Sequence, residues 1–424
     1  MAFPICPRLR QAVGRTLLAG LAIALSACQT LPYADDRTTP PVVEVADASP
    51  AREALNARTY DAAVRWVTRR FYKRDFGGVD WAGETAERRA AAVAQPDDAS
   101  FYGALNATLD LLKDPHTTAV TPTRYRERLR DRREARPVIG FGMRVVDGQY
   151  IVTEVRADAP AAGKIQRGWR LESIDGQPIS EGLSSKSQPE HELIFTDADD
   201  QSRTVILPEV DLPPHLGDME RRADGVVILS FDYFAPATRD WFLARMRELV
   251  EDPPPGIIVD LRDNGGGLLR AVGATLSPFF AERQPYAYVE YGYLPRLPDR
   301  TRPWRRGYDG PVAVLISGAS ASGAEVFAAT MQETGRGRLF GDRTRGAVVA
   351  SRDVVLPDGG ELGIGVRAFR SGRGAVLEGV GVTPDHEVAL NAADLRRGVD
   401  PVVEAAAAAL LKQPRLVADD ANPG

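Results

Sequence analysis

The sequence has few of the residues on which several kinds of chemistry depend. Its 424 residues include two cysteines, four histidines and five lysines. No group of histidine, cysteine and carboxylate residues shows metal-ligand spacing, so neither a metal nor a cofactor is predicted. The formal net charge is only -5, and no basic stripe interleaved with aromatic residues is present. Nucleic acid is therefore not expected as a partner.

The N-terminus has the pattern of an export signal. Three arginines precede an apolar stretch, residues 17–25, that is too short to span a membrane comfortably. It ends in Leu25-Ser26-Ala27-Cys28, which resembles the lipobox of bacterial lipoproteins. The resemblance implies a signal peptide over residues 1–27, a lipid on Cys28 and, from Gln29, the periplasmic face of the outer membrane. Membrane contact through that lipid anchor is then expected.

Composition and periodicity divide the remaining chain into five parts. Residues 28–51 are rich in Pro, Thr, Asp and Ala and predict a flexible tether. Residues 52–136 have helical spacing of apolar positions, and residues 137–210 alternate with glycine turns as in a small β domain. Residues 211–400 alternate strands and helices, which predicts an α/β core. A C-terminal helix and tail follow over residues 401–424.

The small β domain contains a glycine loop, Ile139-Gly140-Phe141-Gly142. Together with residues 159–171 and 174–179, taken as a middle helix and a hairpin, it resembles a PDZ domain. A glycine loop alone could be only a tight turn. The resemblance implies that the loop amides receive the terminal carboxylate of a peptide, which adds to the sheet as a strand.

A serine lies where an apolar strand gives way to a helix. The segment is Ser320-Ala321-Ser322-Gly323-Ala324-Glu325, preceded by the apolar residues 311–316. A hydroxyl at a helix N-terminus is well placed for chemistry that forms an oxyanion. The spacing from Ser322 to Glu325 is also that of a capping box, which needs no chemistry. This segment by itself leaves both interpretations open.

The order of motifs favours the chemical interpretation. The PDZ-like region is followed by Asp260-Leu261-Arg262-Asp263-Asn264-Gly265-Gly266-Gly267, by the serine segment and by residues 378–385. This order resembles the tail-specific, or C-terminal processing, peptidases. The resemblance implies a crotonase-like β-α superhelix core. It also implies that Ser322 is the nucleophile, with the N–H of Gly323 and of Gly265 or Gly266 as the oxyanion hole.

The catalytic base cannot be the lysine of the best-known members. Their motif ends in lysine, whereas this chain has Ala347 after Gly346. The flanking arginines stay protonated and cannot serve as bases. The segment from Leu111 to Thr117 resembles a tricorn-core-like branch, which implies His116 as base and Glu378 as its partner, with Pro115 replacing that branch's serine. His191 and His215 are expected at the surface, and His386 is the reserve candidate.

The sequence therefore predicts an exported serine endopeptidase that cuts unstructured or C-terminal-tail protein substrates. The alternative is a non-catalytic, PDZ-containing lipoprotein scaffold that binds peptides or a ligand on the same fold. Retention of both Ser322 and His116 separates the two. The substrate and the oligomeric state are not predicted.

Overall fold

The fold was analysed in a computed structural model. The structure describes residues 43–133, 137–179, 189–212, 215–289, 298–304 and 306–412. The predicted signal peptide, Cys28 and most of the predicted tether lie outside these ranges. In the described part of the chain, no helix combines the length and apolar character needed to cross a membrane. The mixed α/β class predicted from the sequence is confirmed.

Contacts divide the chain into two compact units. The helical unit contains the chain up to Arg70, Asp75–Arg130 and a later segment, Ser351–Ile364. The sheet unit contains Phe71–Arg74, Asp131–Ala350 and Gly365–Gly424. The later segment of the helical unit interrupts the predicted core, which no local sequence pattern indicates.

Four helices and one short strand form most of the helical unit. The helices are α1 (Pro50–Arg70), α2 (Trp81–Val93), α3 (Asp98–Leu109) and α4 (Pro122–Arg133), and the strand is β1 (Thr118–Val120). Asp80 and Asp97 cap α2 and α3 by accepting N–H groups of the first turn. Large apolar side chains such as Leu105 are fully buried. Helix α3 ends at Leu109, and a 3₁₀ turn, Asp110–Leu112, follows.

The small β domain is part of the sheet unit. Its strands are β2 (Pro137–Val138), β3 (Phe141–Val146), β4 (Gln149–Val155), β5 (Arg170–Ile174), β6 (Gln177–Pro178), β7 (Glu190–Thr196), β8 (Ser202–Pro208) and β9 (Val210–Asp211). The main sheet has the order β3-β4-β5-β7-β8 and encloses a core with buried Val152, Leu193 and Phe195. The middle helix expected within residues 159–171 is wrong, because this segment forms consecutive turns.

The α/β core is built on a six-stranded sheet of order β10-β11-β12-β15-β16-β19. These strands are β10 (Asp218–Arg221), β11 (Val227–Ser230), β12 (Ile257–Asp260), β15 (Val312–Ile316), β16 (Arg338–Gly341) and β19 (His386–Glu387). All neighbours are parallel except β10 and β11. Strand β15 is buried along its whole length, as expected for a parallel strand covered on both faces.

Helices cover this sheet. They are α5 (Pro236–Glu251), α6 (Leu269–Leu276), α7 (Gly323–Glu333) and α9 (Pro401–Leu411), whereas the short α8 (Ala392–Arg396) packs against β4 of the small β domain, where Ala392 and Leu395 are buried with Ile151. One apolar cluster includes Phe242, Val272 and Phe327, and a second includes Ala406 and Leu410 of α9. The remaining strands are β13 (Pro285–Val289), β14 (Pro298–Arg300), β17 (Val349–Val355) and β18 (Glu361–Ser371). Strand β18 begins in the helical unit and ends in the sheet unit.

Candidate active site

Ser322 lies in a strained turn between β15 and α7. Its φ of 53° and ψ of -112° fall outside the regions that L residues ordinarily adopt. A residue that only caps a helix normally has an extended backbone, so capping does not require this conformation. Such strain persists only where the surroundings fix it, and it concentrates at functional sites.

Backbone hydrogen bonds hold the turn. The N–H of Ser322 points at the carbonyl of Ala347, at 2.8 Å, and at Oε2 of Glu325, at 2.9 Å. The N–H of Ala321 donates to the carbonyl of Asn264 at 3.1 Å. The capping-box pattern read from the sequence is present. It therefore exists together with the strained serine rather than in place of it.

Glu325 does more than cap the helix. Its side chain is fully buried, and its carboxylate accepts four hydrogen bonds. Oε1 accepts from the Thr344 hydroxyl at 2.6 Å and the Gly346 N–H at 2.7 Å, and Oε2 accepts from Ser322 and from the Ala347 N–H at 2.9 Å. Because a buried carboxylate is costly unless its lone pairs are satisfied, this cluster fixes residues 344–347 against the serine turn.

The glycine loop packs closely against the serine. Gly266 has a φ of 105°, and a Cβ at this position would lie 2.6 Å from Cβ of Ser322. Asn264 is fully buried, and its Nδ2 donates to the carbonyl of Phe231 at 2.8 Å. Only glycine fits this approach, so a larger side chain at Gly266 would displace the serine turn.

Two of the predicted oxyanion donors are already engaged. The N–H of Gly265 donates to the carbonyl of Asp232 at 3.1 Å, and the N–H of Gly266 donates to Oδ1 of Asn264 at 2.9 Å. The expectation that Gly265 or Gly266 completes an oxyanion hole therefore needs revision. Gly323 is the first residue of α7, where helix geometry leaves the N–H without an intrahelical acceptor.

The third glycine of the loop, Gly267, has an N–H that is not used in the pairing with Phe234. Phe234 donates to the carbonyl of Gly266 at 2.7 Å and accepts from Leu268 at 2.8 Å. In this parallel bridge the Gly267 N–H points away from Phe234. Its nitrogen would lie 3.3 Å from a Cβ placed on Gly323. Gly267 is thus a better geometric match to the serine turn than its two predecessors.

Ser320 has a structural environment. Its side chain is fully buried, and its hydroxyl donates to the carbonyl of Leu261 at 2.7 Å. The same oxygen accepts from the N–H of Ser317 at 2.9 Å. A hydroxyl engaged on both sides cannot approach a substrate, which leaves Ser322 as the accessible serine of the segment.

Glu378 lies beside the segment that holds Ser322. Its Oε2 accepts from the N–H of Val348 at 2.6 Å, one residue after Ala347. The next residue, Gly379, donates to the carbonyl of Gly346 at 2.7 Å. The half-buried carboxylate is therefore in the same loop cluster as Ala347.

His116 belongs to the helical unit and lies on a turn after α3. Lys113, with a φ of 48°, ends the 3₁₀ turn in the left-handed conformation. The turn is closed by Thr117, whose N–H donates to the carbonyl of Asp114 at 3.2 Å and whose hydroxyl donates to Oδ2 of Asp114 at 2.5 Å. Asp114 thus shapes the turn. His116 is half-buried and Pro115 is exposed.

His191 is buried, so its predicted surface position is wrong. It is 2% exposed, with Nδ1 2.8 Å from Asp175 and Nε2 2.9 Å from Glu209. The alternating burial of β7 turns this residue inward between two exposed glutamates. Burial opposes the charged imidazolium, but the bonds to Glu209 and Asp175 outweigh it and raise the pKa of His191.

His215 is partly buried rather than fully at the surface. Its Nε2 lies 3.0 Å from Oδ2 of Asp218 and 3.9 Å from Oε1 of Glu154. The hydrogen bond to Asp218 outweighs burial and raises the pKa of His215. Sequence spacing missed this three-residue group because Glu154 is distant in sequence from His215 and Asp218. We interpret it as an ion-pair cluster. The reserve base, His386, is exposed and stacks on Phe340, with ring centroids 4.6 Å apart.

The glycine loop of the small β domain is rigidly held. Gly140 has a φ of 84°, and a Cβ there would overlap Cβ of Ala159. The carbonyl of Gly140 accepts from the N–H of Arg156 at 2.9 Å. The ring of Phe141 packs edge-on against Phe195 at 5.7 Å. The loop leads directly into β3, which is at the edge of the main sheet of this domain.

These features are those of a serine peptidase core. Residues 225–388 match the family described as peptidase family S41. This range contains the glycine loop, Ser322, Ala347 and Glu378. The comparisons confirm the resemblance inferred from the motifs: residues 225–388 match the S41 peptidase family, and relatives named carboxyl-terminal-processing proteases are similar over most of the chain.

Several named proteins are similar over most of the chain. A carboxyl-terminal-processing protease of Picosynechococcus is 22% identical, covering 77% of this chain and 81% of the relative. A tricorn protease homolog of Streptomyces coelicolor is 25% identical over 85% of this chain and 32% of its own. The solved photosystem II D1 C-terminal processing protease has a TM-score of 0.58 at 20% identity, covering 84% of this chain and 98% of its own. At this identity, the last likeness shows the fold alone.

Proposed function

We propose that this protein is a serine endopeptidase that hydrolyses peptide bonds in unstructured or C-terminal-tail protein substrates. The observation that carries the proposal is the strained Ser322, held by Ala347 and Glu325 against a loop where only glycine fits. A structural cap needs none of this. A nucleophile that must present its hydroxyl at the start of a helix does. The match to S41 peptidases does not favour the non-catalytic scaffold.

His116 acts as general base in the proposed reaction. It takes the hydroxyl proton of Ser322 as the oxygen attacks the substrate carbonyl carbon. The resulting oxyanion accepts hydrogen bonds from the Gly323 N–H and from the glycine loop, with Gly267 as the loop donor that the hydrogen bonding favours. His116 then passes the proton to the leaving amine, and water hydrolyses the acyl-enzyme.

Three observations support these assignments. In the sequence, the position of the family lysine is Ala347, which cannot accept a proton. Of the three remaining histidines, His191 is held between two carboxylates, His215 is paired with Asp218, and His386 is exposed on an edge strand. Glu378 accepts from Val348 beside the serine loop, and in the proposed site it orients the imidazole and stabilises its charged form.

The small β domain is proposed to bind the substrate as a PDZ domain does. Residues 139–142 would receive an apolar C-terminal tail, and the edge strand β3 would pair with it. The expected readout is binding of a fluorescent peptide with an apolar C-terminus and loss of binding when its carboxylate is amidated. Equal binding of both peptides would exclude carboxylate recognition by this loop.

The protein is proposed to act in the cell envelope, anchored through lipid on Cys28 to the periplasmic face of the outer membrane. Support comes from the sequence alone, because Cys28 lies outside the described residues. The anchor would hold the catalytic units near membrane-associated or exported substrates.

A fluorophosphonate probe tests the nucleophile. We expect covalent labelling of the wild-type protein, no labelling of Ser322→Ala and full labelling of Ser320→Ala if that variant folds. His116→Ala should label much more slowly, because the probe reports the activated hydroxyl. A folded wild-type protein that neither labels nor cleaves an unstructured peptide would instead support the scaffold alternative.

A further inference from the structure

The loop that carries His116 is attached to a hairpin from a distant part of the sequence. Strand β1 begins two residues after His116 and pairs antiparallel with the first residues of β18. The register matches Thr118 with Gly363 and Val120 with Glu361. A Cβ on Gly363 would lie 3.4 Å from the carbonyl of His116, so the strand also runs close beneath the histidine.

The other side of β1 is held by α3. The side chain of Asn106 donates from Nδ2 to the carbonyl of Ala119 at 2.9 Å, and its Oδ1 accepts the Ala119 N–H at 2.8 Å. This amide pairs with the strand as a neighbouring strand would. The short strand after His116 is thus bonded on both edges, to α3 and to the hairpin.

A buried polar lock ties the tip of the hairpin to the same helix. The hydroxyl of Tyr102 lies 3.0 and 2.9 Å from the two carboxylate oxygens of Asp358. Asp358 also accepts from the N–H of Gly360 at 3.0 Å, and both side chains of the pair are 3% exposed. A Cβ on Gly360 would lie 1.9 Å from the Tyr102 hydroxyl, so the backbone of the tip fits directly under the tyrosine.

The contact between Tyr102 and Asp358 is buried, and burial affects the Asp358 carboxyl group. Burial raises the pKa of Asp358, opposed by the hydrogen bonds from Gly360 and Tyr102, and the negative charge of Asp98 adds to the rise. A buried carboxyl group without these donors would be strongly unfavourable. The hydrogen bonds from Tyr102 and Gly360 therefore stabilise the hairpin tip in its docked position.

Both strands of the hairpin continue into the sheet unit. Strand β17 starts at Val349, next to the Ala347 and Val348 segment whose carbonyl and N–H bond to Ser322 and Glu378. Strand β18 continues to Ser371, which pairs with Ala287 of β13. The hairpin that follows the serine loop in sequence therefore supplies the strand that pairs with β1, directly after the His116 turn.

We infer that the hairpin Ser351–Ile364 is the element that positions His116 for the peptidase reaction, and that Tyr102 and Asp358 are its positioning residues. Neither side chain has a role in the chemistry itself. Their effect passes through the docked tip and the paired strand to the histidine turn. The inference rests on the proposed function, since it takes His116 as the base.

The test compares variants of the lock by steady-state kinetics on one unstructured peptide from pH 5 to 9. Tyr102→Phe should lower kcat by about ten- to a hundredfold, since small misplacement of a catalytic group has effects of this order, with KM nearly unchanged. The acidic limb of its kcat/KM profile should also shift, because that limb reports the base. Asp358→Asn keeps an acceptor for the tyrosine and should retain most activity, whereas Asp358→Leu should resemble Tyr102→Phe.

Tyr60→Phe is the matched control. Tyr60 is equally buried in the helical unit, and its hydroxyl donates to the carbonyl of Thr85 at 2.9 Å, joining α1 to α2. It should retain wild-type kcat and pH profile even if its melting temperature falls. If Tyr102→Phe does not fold, Asn106→Ala replaces it, with the same expected loss.

One result would refute the inference about the hairpin, and another would refute the assignment of His116 as the base. Folded Tyr102→Phe or Asn106→Ala with wild-type kcat and an unshifted pH profile would show that the hairpin is only structural. That failure is distinct from failure of the proposed function, which His116→Ala reports separately. If His116→Ala retains wild-type turnover, the base assignment fails whatever the hairpin variants do.

Discussion

Replacement of Glu325 by glutamine tests whether its buried carboxylate holds the nucleophile in place. A glutamine has one acceptor oxygen where the carboxylate has two. The least damaging orientation keeps this oxygen at the Oε2 position, where it still accepts from Ser322 and Ala347. The amide nitrogen then faces the Thr344 hydroxyl, which already accepts from the Val382 N–H at 2.7 Å and can accept a second bond, and the Gly346 N–H, which cannot accept.

The expected loss in the free energy of unfolding follows from these changes. One buried N–H, that of Gly346, loses its acceptor, which costs about 1–3 kcal/mol. The two bonds that remain lose the assistance of a negative charge, whereas burial of a neutral group costs less than burial of a charge. We therefore expect Glu325→Gln to lower the free energy of unfolding by about 2–4 kcal/mol, a large part of the stability of a typical domain. Labelling of Ser322 should slow as well.

Urea denaturation and the rate of fluorophosphonate labelling measure the two effects. Glu333→Gln is the control on the same helix, because Glu333 is only half-buried and lies far along α7 from the serine, where it accepts from the Ser371 hydroxyl and from the Arg373 N–H at 3.1 Å. It should change stability by less than about 1 kcal/mol and leave labelling unaltered. Wild-type stability and labelling in Glu325→Gln would refute the view that these four bonds fix the serine turn.

Three further predictions concern other parts of the chain. His116→Ala should lower kcat by about a thousandfold or more with folding intact. Ala347→Lys should neither raise the activity of the wild-type protein nor rescue His116→Ala. Rescue of kcat/KM in the double variant would identify a lysine site that lost its lysine. Because the folded pKa of His191 is raised above 6.5, its stabilising charge is fully present below pH 6.5 and is lost as pH rises through the folded pKa. The free energy of unfolding should therefore fall with alkaline pH, and His191→Asn should remove this dependence; an equal fall in both proteins would contradict it. Cys28→Ala should abolish recovery in the membrane fraction, and persistent tight membrane binding would indicate another anchor.

The sequence predicted the centre of the core well because its signals are local. Strand β15 is a continuous apolar run, and the helix after Ser322 has a capping-box start and a glycine stop. Glycines at 265–267 marked the loop that approaches the serine. The individual N–H directions could not be predicted, since they depend on acceptors such as Asp232 that are distant in sequence.

What the sequence could not show depends on long-range pairing. Tyr102 and Asp358 are 256 residues apart, and neither residue has a local pattern that indicates a partner. The membership of Ser351–Ile364 in the helical unit follows from such contacts. His191 was misplaced because its charged neighbours suggested the surface, although alternation along β7 turns the middle residue inward. The burial of Glu325 was likewise hidden by its ordinary capping-box spacing.

The discontinuous helical unit also has a consequence for biosynthesis. A ribosome releases α3 and the His116 turn long before the hairpin that completes their hydrogen bonding, so the turn must wait for most of the chain. Contacts this distant in sequence form slowly, because the intervening loop must close first. If His116 is the base, an unfinished or partly exported chain has a serine and a histidine but no assembled pair. The order of the segments then delays assembly of the pair until most of the chain has been made.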